Sequence, residues 1–370
     1  MTGFECPLGA HSRILAIRLD NVGDLVLLSP ALRALRSHLP TASITLMTSP
    51  AGSQAAPMLP WIDDVIVEQV VWQDAAGTLP CDLKAQKALV DGLGAHGFDA
   101  AVIFTTWSQS PWPAAYVCYL AGIPLRAGES KEFGGSLLTH QPACLPDEVH
   151  QVDRNLHLLD TLGIPDAGHH LELAVPFPAT TRANQLLLDS GIDPAESFVV
   201  IAPGASCAAR RYPVERFCDV ATGLHAESGL PLIIVGSQRD AERMGPGLQP
   251  LTQTGAVSLV GKTTLAEVAA ILSVAALVIA NDSGPMHLAD AFSRPQVVLY
   301  SGTEYESQWA PRSSPLRLLR RSTPCSPCYR FDCPYGVDCL DIPPAEVIEH
   351  ALDLLASPVP GAGLEETCDR

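Results

Sequence analysis

Charge is scarce in this sequence, and positive charge is scarcest. Only 17% of the 370 residues are charged, and 23 lysines and arginines stand against 40 aspartates and glutamates, for a formal net charge of -17. That deficit excludes a surface built to wrap nucleic acid or to lie on an anionic membrane through a polybasic patch. Any phosphate chemistry must rest on a few local groups. The sequence also lacks a run of the ~18 to 20 uninterrupted apolar residues that a membrane span needs. Its first residues, MTGFECPLGAHSRILAIRL, have no basic stretch followed by an apolar segment and a small-residue cleavage site, so no secretory signal is read there. Low-complexity segments are missing as well. The expectation is a soluble, cytoplasmic protein with no nucleic-acid partner and at most peripheral membrane contact.

What is present points to two cores. Hydrophobic residues make up 47% of the chain, which excludes disorder, and the length suggests about two domains at a prior of ~150 residues each. Of the 11 cysteines, seven are scattered and four crowd between Cys325 and Cys339. That distribution suggests one local site and not a framework of bridges.

Short β-branched runs alternate with helical stretches. Arg13 to Leu19 reads as a buried strand, Leu25 to His38 as a helix, Ser43 to Thr48 and Asp64 to Val67 as strands, Lys84 to Leu93 as a helix and Ala100 to Thr105 as a strand. Such an order implies a mostly parallel sheet covered on both faces, with ligands beyond the carboxyl ends of the strands. Ala174 to Pro178 reads as an extended linker that contributes no helix. A second series follows: helix 181–190, strand 198–202, helix 214–228, strand 231–235, helix 265–273, strands 277–280 and 296–300, and a last amphipathic helix 345–355. The expected architecture is α/β, with domains at 1–175 and 176–356, a tail at 357–370 and an active-site cleft between the two halves.

One motif is a decoy. Gly92, Gly94 and Gly97 spell G-x-G-x-x-G, but a dinucleotide fingerprint needs a strand before the glycines and a helix after them. Here a helix precedes and a strand follows, so the segment reads as a helix-to-strand turn.

Strand-end loops carry the pointed residues. Asp24 closes the loop Asp20-Asn21-Val22-Gly23-Asp24, and two readings stand beside each other: an N-terminal helix cap, or a carboxylate base. Gly204 and Ser206 lie in a small-residue loop followed by Arg210 and Arg211. Backbone amides and guanidinium forks there would suit a phosphate; the alternative is an exposed basic pair. Asn281-Asp282-Ser283-Gly284-Pro285-Met286-His287 follows a strand and opens a helix, with Pro285 suited to the first turn. A diphosphate would meet the amides of Ser283 and Gly284 and the helix dipole there, while Asp282 fits sugar hydroxyls better than an anion. His287 either positions this loop or is a packed structural histidine. A fourth loop, Ser301 to Tyr305, adds polar side chains at a strand end.

Together RILAIRLDNVGDLVLLSPALRAL, IAPGASCAARRYP, ANDSGPMHLADAF and SGTEYESQWAP resemble glycosyltransferase family 9, the bacterial heptosyltransferases and their relatives, over nearly the whole chain. The resemblance implies a GT-B fold of two facing Rossmann-like domains and inversion at the anomeric centre without a catalytic metal. It implies transfer of a sugar, heptose from ADP-heptose in the first instance, to a glycan or lipopolysaccharide-type glycolipid. Asp24 matches the family's general base, Arg210 its usual lysine at the donor diphosphate, and Asp282, Ser283, Gly284 and His287 its donor-binding segment. Tyr212 stands where a tryptophan is common. Two other readings remain: a nucleotide-sugar-binding GT-B protein without turnover, and the same transfer onto a protein acceptor.

Cys325, Cys328, Cys333 and Cys339 form C-x2-C-x4-C-x5-C. Four thiolates so spaced suit a structural zinc or iron; the alternative is a thiol pair, reduced or oxidised, that pins the loop.

Overall fold

The computed structural model describes residues 6–74, 77–244, 250–251 and 254–357; of the tail expected at 357–370, all but Ser357 lies outside them. By spatial proximity the chain divides into two compact units, Met1–Pro176 with Tyr305–Ala310, and Phe177–Glu304 with Pro311–Arg370. The short segment Tyr305–Ala310 thus groups with the first unit, whereas the sequence boundaries kept all of 176–356 in the second.

In the first unit, strands β1 (Arg13–Arg18), β2 (Ser43–Thr48), β3 (Asp64–Val67), β4 (Ala100–Ile103) and β5 (Leu125–Gly128) form a parallel sheet in the order β3-β2-β1-β4-β5. Ile14, Leu15, Ala16 and Ile17 of β1 are all buried, so both faces of this central strand are covered, as an all-parallel sheet requires. Ile14, Leu15 and Ile17 each contribute roughly 1.5–3 kcal/mol on leaving water. Helices α1 (Val22–Val26), α2 (Ser29–His38), α3 (Leu83–His96), α4 (Trp112–Leu120) and α5 (Gln151–Asp160) complete the unit. The helix expected over Leu25 to His38 is two helices, because Pro30 occupies the first turn of α2 and cannot continue a preceding one. The decoy glycines are resolved too: Gly92 and Gly94 lie inside α3, and Gly97 ends it in the left-handed region at φ 62°, where glycine carries no Cβ penalty.

The second unit holds β6 (Val199–Ala202), β7 (Leu232–Ile234), β8 (Val257–Ser258), β9 (Leu277–Asn281), β10 (Gln296–Leu299) and β11 (Leu316–Leu319), parallel in the order β11-β10-β9-β6-β7-β8. Its helices are α6 (Phe177–Asp189), α7 (Val214–Ser228), α8 (Gln238–Met244), α9 (Leu265–Val274), α10 (Gly284–Ala291) and α12 (Pro344–Ala356); α11 (Glu306–Trp309) belongs to the first unit. The linker expectation fails at its end: Phe177 and Pro178 already form the first turn of α6, the one helical position where proline loses no hydrogen bond. Helix α9 starts on a capping box, Thr264 Oγ1 accepting from Glu267 N (3.3 Å) and Glu267 Oε2 accepting from Thr264 N (2.7 Å).

In each sheet the chain builds outward on one side of its first strand and then crosses to build on the other side. β1 lies between β2 and β4, and β6 between β7 and β9. Ligands of open α/β sheets bind outside the carboxyl ends of the strands at such switch points. The loops that leave β1, β4, β6 and β9 are therefore the places to look. Among the described residues no helix is long and apolar enough to cross a membrane.

Candidate active site

At the switch point of the first unit, β1 ends on Arg18, whose side chain is 0% exposed. A buried guanidinium needs partners, and it has two carboxylates. Arg18 Nη2 donates to Asp24 Oδ1 at 2.8 Å, and Arg18 Nε lies 2.7 Å from Asp20 Oδ2. Asp24 sits in the first turn of α1, where its Oδ2 accepts from Asn21 N at 3.2 Å. Asp24 is thus a cap and also the partner of a buried arginine. The loop after β4 reaches the same cluster through Gln109, whose Nε2 donates to Asp20 Oδ1 at 2.5 Å. Burial pushes the Asp20 carboxyl up to about 6; Arg18 pulls it down, Asp24 adds to the rise and the Gln109 hydrogen bond opposes it.

Beside this cluster lies a pocket of about 240 Å³, lined by residues 105–110, residues 129–132 and Arg154. Gln109 is shared between pocket and carboxylates. The pocket's cations are already engaged: Arg154 Nη1 donates to Glu129 Oε1, Lys131 Nζ pairs with Asp147, and Lys131 also lies 4.9 Å from the ring centre of Trp107. Glu129 Oε2 is buried without a hydrogen-bond partner. A wider depression of about 670 Å³ lies at the opposite, amino ends of β1, β4 and β5, against residues 7–12, Asp99 and His140, away from these carboxylates.

The second unit builds its own cluster at the ends of β6 and β9. Asn281, fully buried, ties the two loops together: its Nδ2 donates to Pro203 O (2.7 Å) and its Oδ1 accepts from Tyr212 N (3.1 Å). Tyr212 is buried too, its hydroxyl donating to Ile342 O at 2.6 Å and its ring edge-on to Phe217. A Cβ on Gly204 would come within 2.7 Å of the Asp240 carboxyl, so a larger residue there would have to push that side chain aside. Arg210 is the centre. Its Nη2 donates to Glu304 Oε2 at 2.6 Å, its Nε to Thr303 Oγ1 at 3.1 Å, and Asp282 Oδ2 lies 3.8 Å from Nε. Burial works against this charge, but Asp282 and Glu304 outweigh it and hold the guanidinium above its usual pKa.

Asp282 is buried and accepts from Ser301 Oγ at 3.3 Å. Ser283 precedes α10 in extended conformation, its hydroxyl turned to Asn281 O at 3.2 Å, which leaves capping of the first amides of α10 to something other than this side chain. His287 is buried in α10. Arg211 does not join Arg210. It folds back onto its own loop, Nε donating to Ala205 O (3.1 Å) and Nη2 to the carbonyl of exposed Ser206 (3.5 Å), so the expected pair of guanidinium forks is one fork and one loop clamp.

Arg18, Asp20, Gln109, Thr303 and Glu304 had no role assigned from sequence. The usable signal was Arg18, a charge inside the apolar run RILAIRL, which a buried strand tolerates only with a partner.

Among the described residues no group of three or more His, Cys, Asp or Glu side chains converges to hold a metal, and Cys325, Cys328, Cys333 and Cys339 are all free thiols. A tetrahedral zinc or iron needs its four sulfurs at one point, and these residues do not fit that requirement. Backbone bonds hold the loop instead: Cys328 N and Tyr329 N donate to Gly302 O (3.0 Å) and Thr303 O (2.8 Å), and Ala209 N to Phe331 O (3.0 Å). The cysteine loop is thus laced to both segments that flank Arg210.

The sequence signature of glycosyltransferase family 9 (heptosyltransferase) matches residues 87–337. Lipopolysaccharide heptosyltransferase 2 of Escherichia coli K12 is 26% identical over 359 residues, 93% of this chain and 98% of its own. Among solved structures, ADP-heptose lipopolysaccharide heptosyltransferase II of E. coli superposes with a TM-score of 0.73 at 23% identity, covering 93% of this chain and 98% of that one. A family 9 glycosyltransferase from Veillonella parvula gives 0.77 at 22%, covering 94% and 98%. The fold is GT-B, and the chain belongs to glycosyltransferase family 9.

Proposed function

We propose that this glycosyltransferase moves heptose from ADP-heptose to a sugar hydroxyl of the lipopolysaccharide core, in the cytoplasm, by a single inverting displacement. The relatives it matches over nearly their whole length carry that donor and that acceptor in their names. The observation that carries the reading is chemical: each unit presents one half of what the reaction needs, at its own sheet's switch point.

The first half is the base. The acceptor hydroxyl must lose its proton as its oxygen attacks the anomeric carbon, and Asp24 is a carboxylate in the first turn after β1, held by Arg18. The second half is the leaving-group grip. As the bond between anomeric carbon and diphosphate breaks, negative charge grows on the phosphate oxygens. Arg210 would take that charge, with the amides of Ser283 and Gly284 and the α10 dipole behind it. Asp282, an acceptor, suits donor sugar hydroxyls; Gly204 and Ser206 form the loop that Arg211 clamps, and buried His287 keeps the start of α10 in place.

Charge-assisted contacts of this kind replace a metal's electrostatic role, so catalysis needs none. Asp24→Asn keeps the cap geometry and removes the base. Transfer is expected to fall by about 10²–10⁴-fold, while calorimetric ADP affinity stays within twofold. Undiminished turnover would reject Asp24 as the base. Tight ADP binding with no transfer from the unaltered chain to any core acceptor would favour a binding protein.

A further inference from the structure

The structure leaves one arginine serving two carboxylates beside the proposed base. Arg18 is wholly buried and makes one aligned hydrogen bond, to Asp24 Oδ1 at 2.8 Å; its Nε faces Asp20 Oδ2 at 2.7 Å, and its Nη1 is buried without a partner. The charged groups that face Asp20 are Arg18 from β1 and Asp24 from α1. The loop after β4 presents Gln109, and the loop after β2 presents the Ser49 hydroxyl, which donates to the Asp20 carbonyl at 2.5 Å.

We infer that Asp20 is a positioning residue for Asp24, taking a share of the Arg18 charge so that Asp24 is oriented by the arginine without being neutralised by it. The inference rests on Asp24 being the base. A carboxylate in a full ion pair with a buried guanidinium is a poor proton acceptor. With Asp20 ionised, one positive charge is divided between two negative ones, and Asp24 retains the capacity to take the acceptor's proton. With Asp20 protonated, Arg18 turns its whole field on Asp24. The proton taken by Asp24 comes from the acceptor hydroxyl; Asp20 exchanges only with solvent and takes no part in bond making. Its raised pKa of about 6 places this change of state within the range an assay can scan.

The test is the pH profile of kcat for heptose transfer from ADP-heptose to heptose-deficient lipopolysaccharide, in the full chain and in Asp20→Asn. Asparagine mimics the protonated carboxyl, so the two proteins are expected to converge below about pH 5 and to separate above 6, where Asp20→Asn falls roughly tenfold behind with both KM values within twofold. Asp20→Glu, which keeps the charge, should recover part of the loss and the pH-dependence of the ratio.

A ratio that is constant from pH 5 to 8 overturns the inference, because a merely structural role would lower the rate equally at every pH. Should Asp20→Asn fold poorly, Gln109→Leu tests the same point. It removes a donor that stabilises the Asp20 carboxylate, and the acid limb is expected to move up by about one pH unit; an unmoved limb counts against Asp20. Asp24→Asn separates the two claims. If it retains transfer, the base assignment falls and this inference with it. If it abolishes transfer while the Asp20→Asn ratio is flat, only the role of Asp20 falls.

Discussion

Two carboxylates held beside one buried guanidinium carry an energetic cost, and Asp20 bears it. Its pKa is raised by burial from 3.8 to about 6, above the unfolded value. Between these values the folded chain holds a proton that the unfolded chain has lost. The stability Asp20 contributes is therefore complete below about pH 4 and is lost as pH rises through about 6. A displacement of this size corresponds to about 2–3 kcal/mol. Asp20→Asn leaves Arg18 in a one-to-one pair with Asp24, so it is expected to unfold at higher denaturant concentration than the parent at pH 8, with the difference shrinking as pH falls and vanishing only below about pH 4. Equal midpoints across that range would show that Asp20 is not strained. If stability rises where activity falls, the strained pair is retained for chemistry. Asp24 was legible in the sequence as a carboxylate after a strand-end glycine. Its dependence on Arg18 and Asp20 was not, because hydrogen-bond partners across a turn follow from the backbone path and not from spacing alone.

At the level of elements, the strands of both sheets that carry buried aliphatic runs were legible, since covered parallel strands read as continuous apolar stretches. Of the edge strands, β3 was legible while β5, β8 and β11 were not. β8 has two residues, and β11, Leu316–Leu319, is mostly half-buried, so neither leaves a run long enough to distinguish from a loop. The grouping of Tyr305–Ala310 with the first unit was not legible for a related reason: a four-residue helix, α11, has no periodicity to read. Its packing makes a prediction. Gln308 Nε2 donates to Asp147 O at 2.7 Å, His150 Nε2 lies 3.1 Å from Ala310 O, and Trp309 is 8% exposed. Trp309→Ala should cost about 3 kcal/mol, and the loss should fall on the first unit although the residue follows β10 in the chain. Hydrogen exchange can check this: amides of β1, β4 and β5 are expected to lose protection while those of β6, β9 and β10 keep theirs. Loss confined to the second sheet would place α11 with the wrong unit.

At the level of the whole molecule, the charge of -17 opposes every anionic substrate at long range, and the cluster proposed to hold the donor does not reverse it locally. Arg210 and Arg211 are matched there by Asp240, Asp282 and Glu304, with Arg210 already bonded to Glu304. A nucleoside diphosphate must approach through a repulsive field and then displace carboxylates from the guanidinium. Salt acts on these two steps unequally. Charges farther apart than a Debye length, about 30 Å at 0.01 M and 8 Å at 0.15 M, are screened, whereas partly buried pairs at contact distance are screened much less. Raising ionic strength from 10 to 150 mM should therefore quicken ADP association, or leave it unchanged, and alter its dissociation little. This is the opposite of the salt response of a basic, phosphate-steering surface. Stopped-flow binding of a fluorescent ADP analogue at several salt concentrations would decide it, and an association rate that falls steeply with salt would mean that the local arginines dominate the approach field after all.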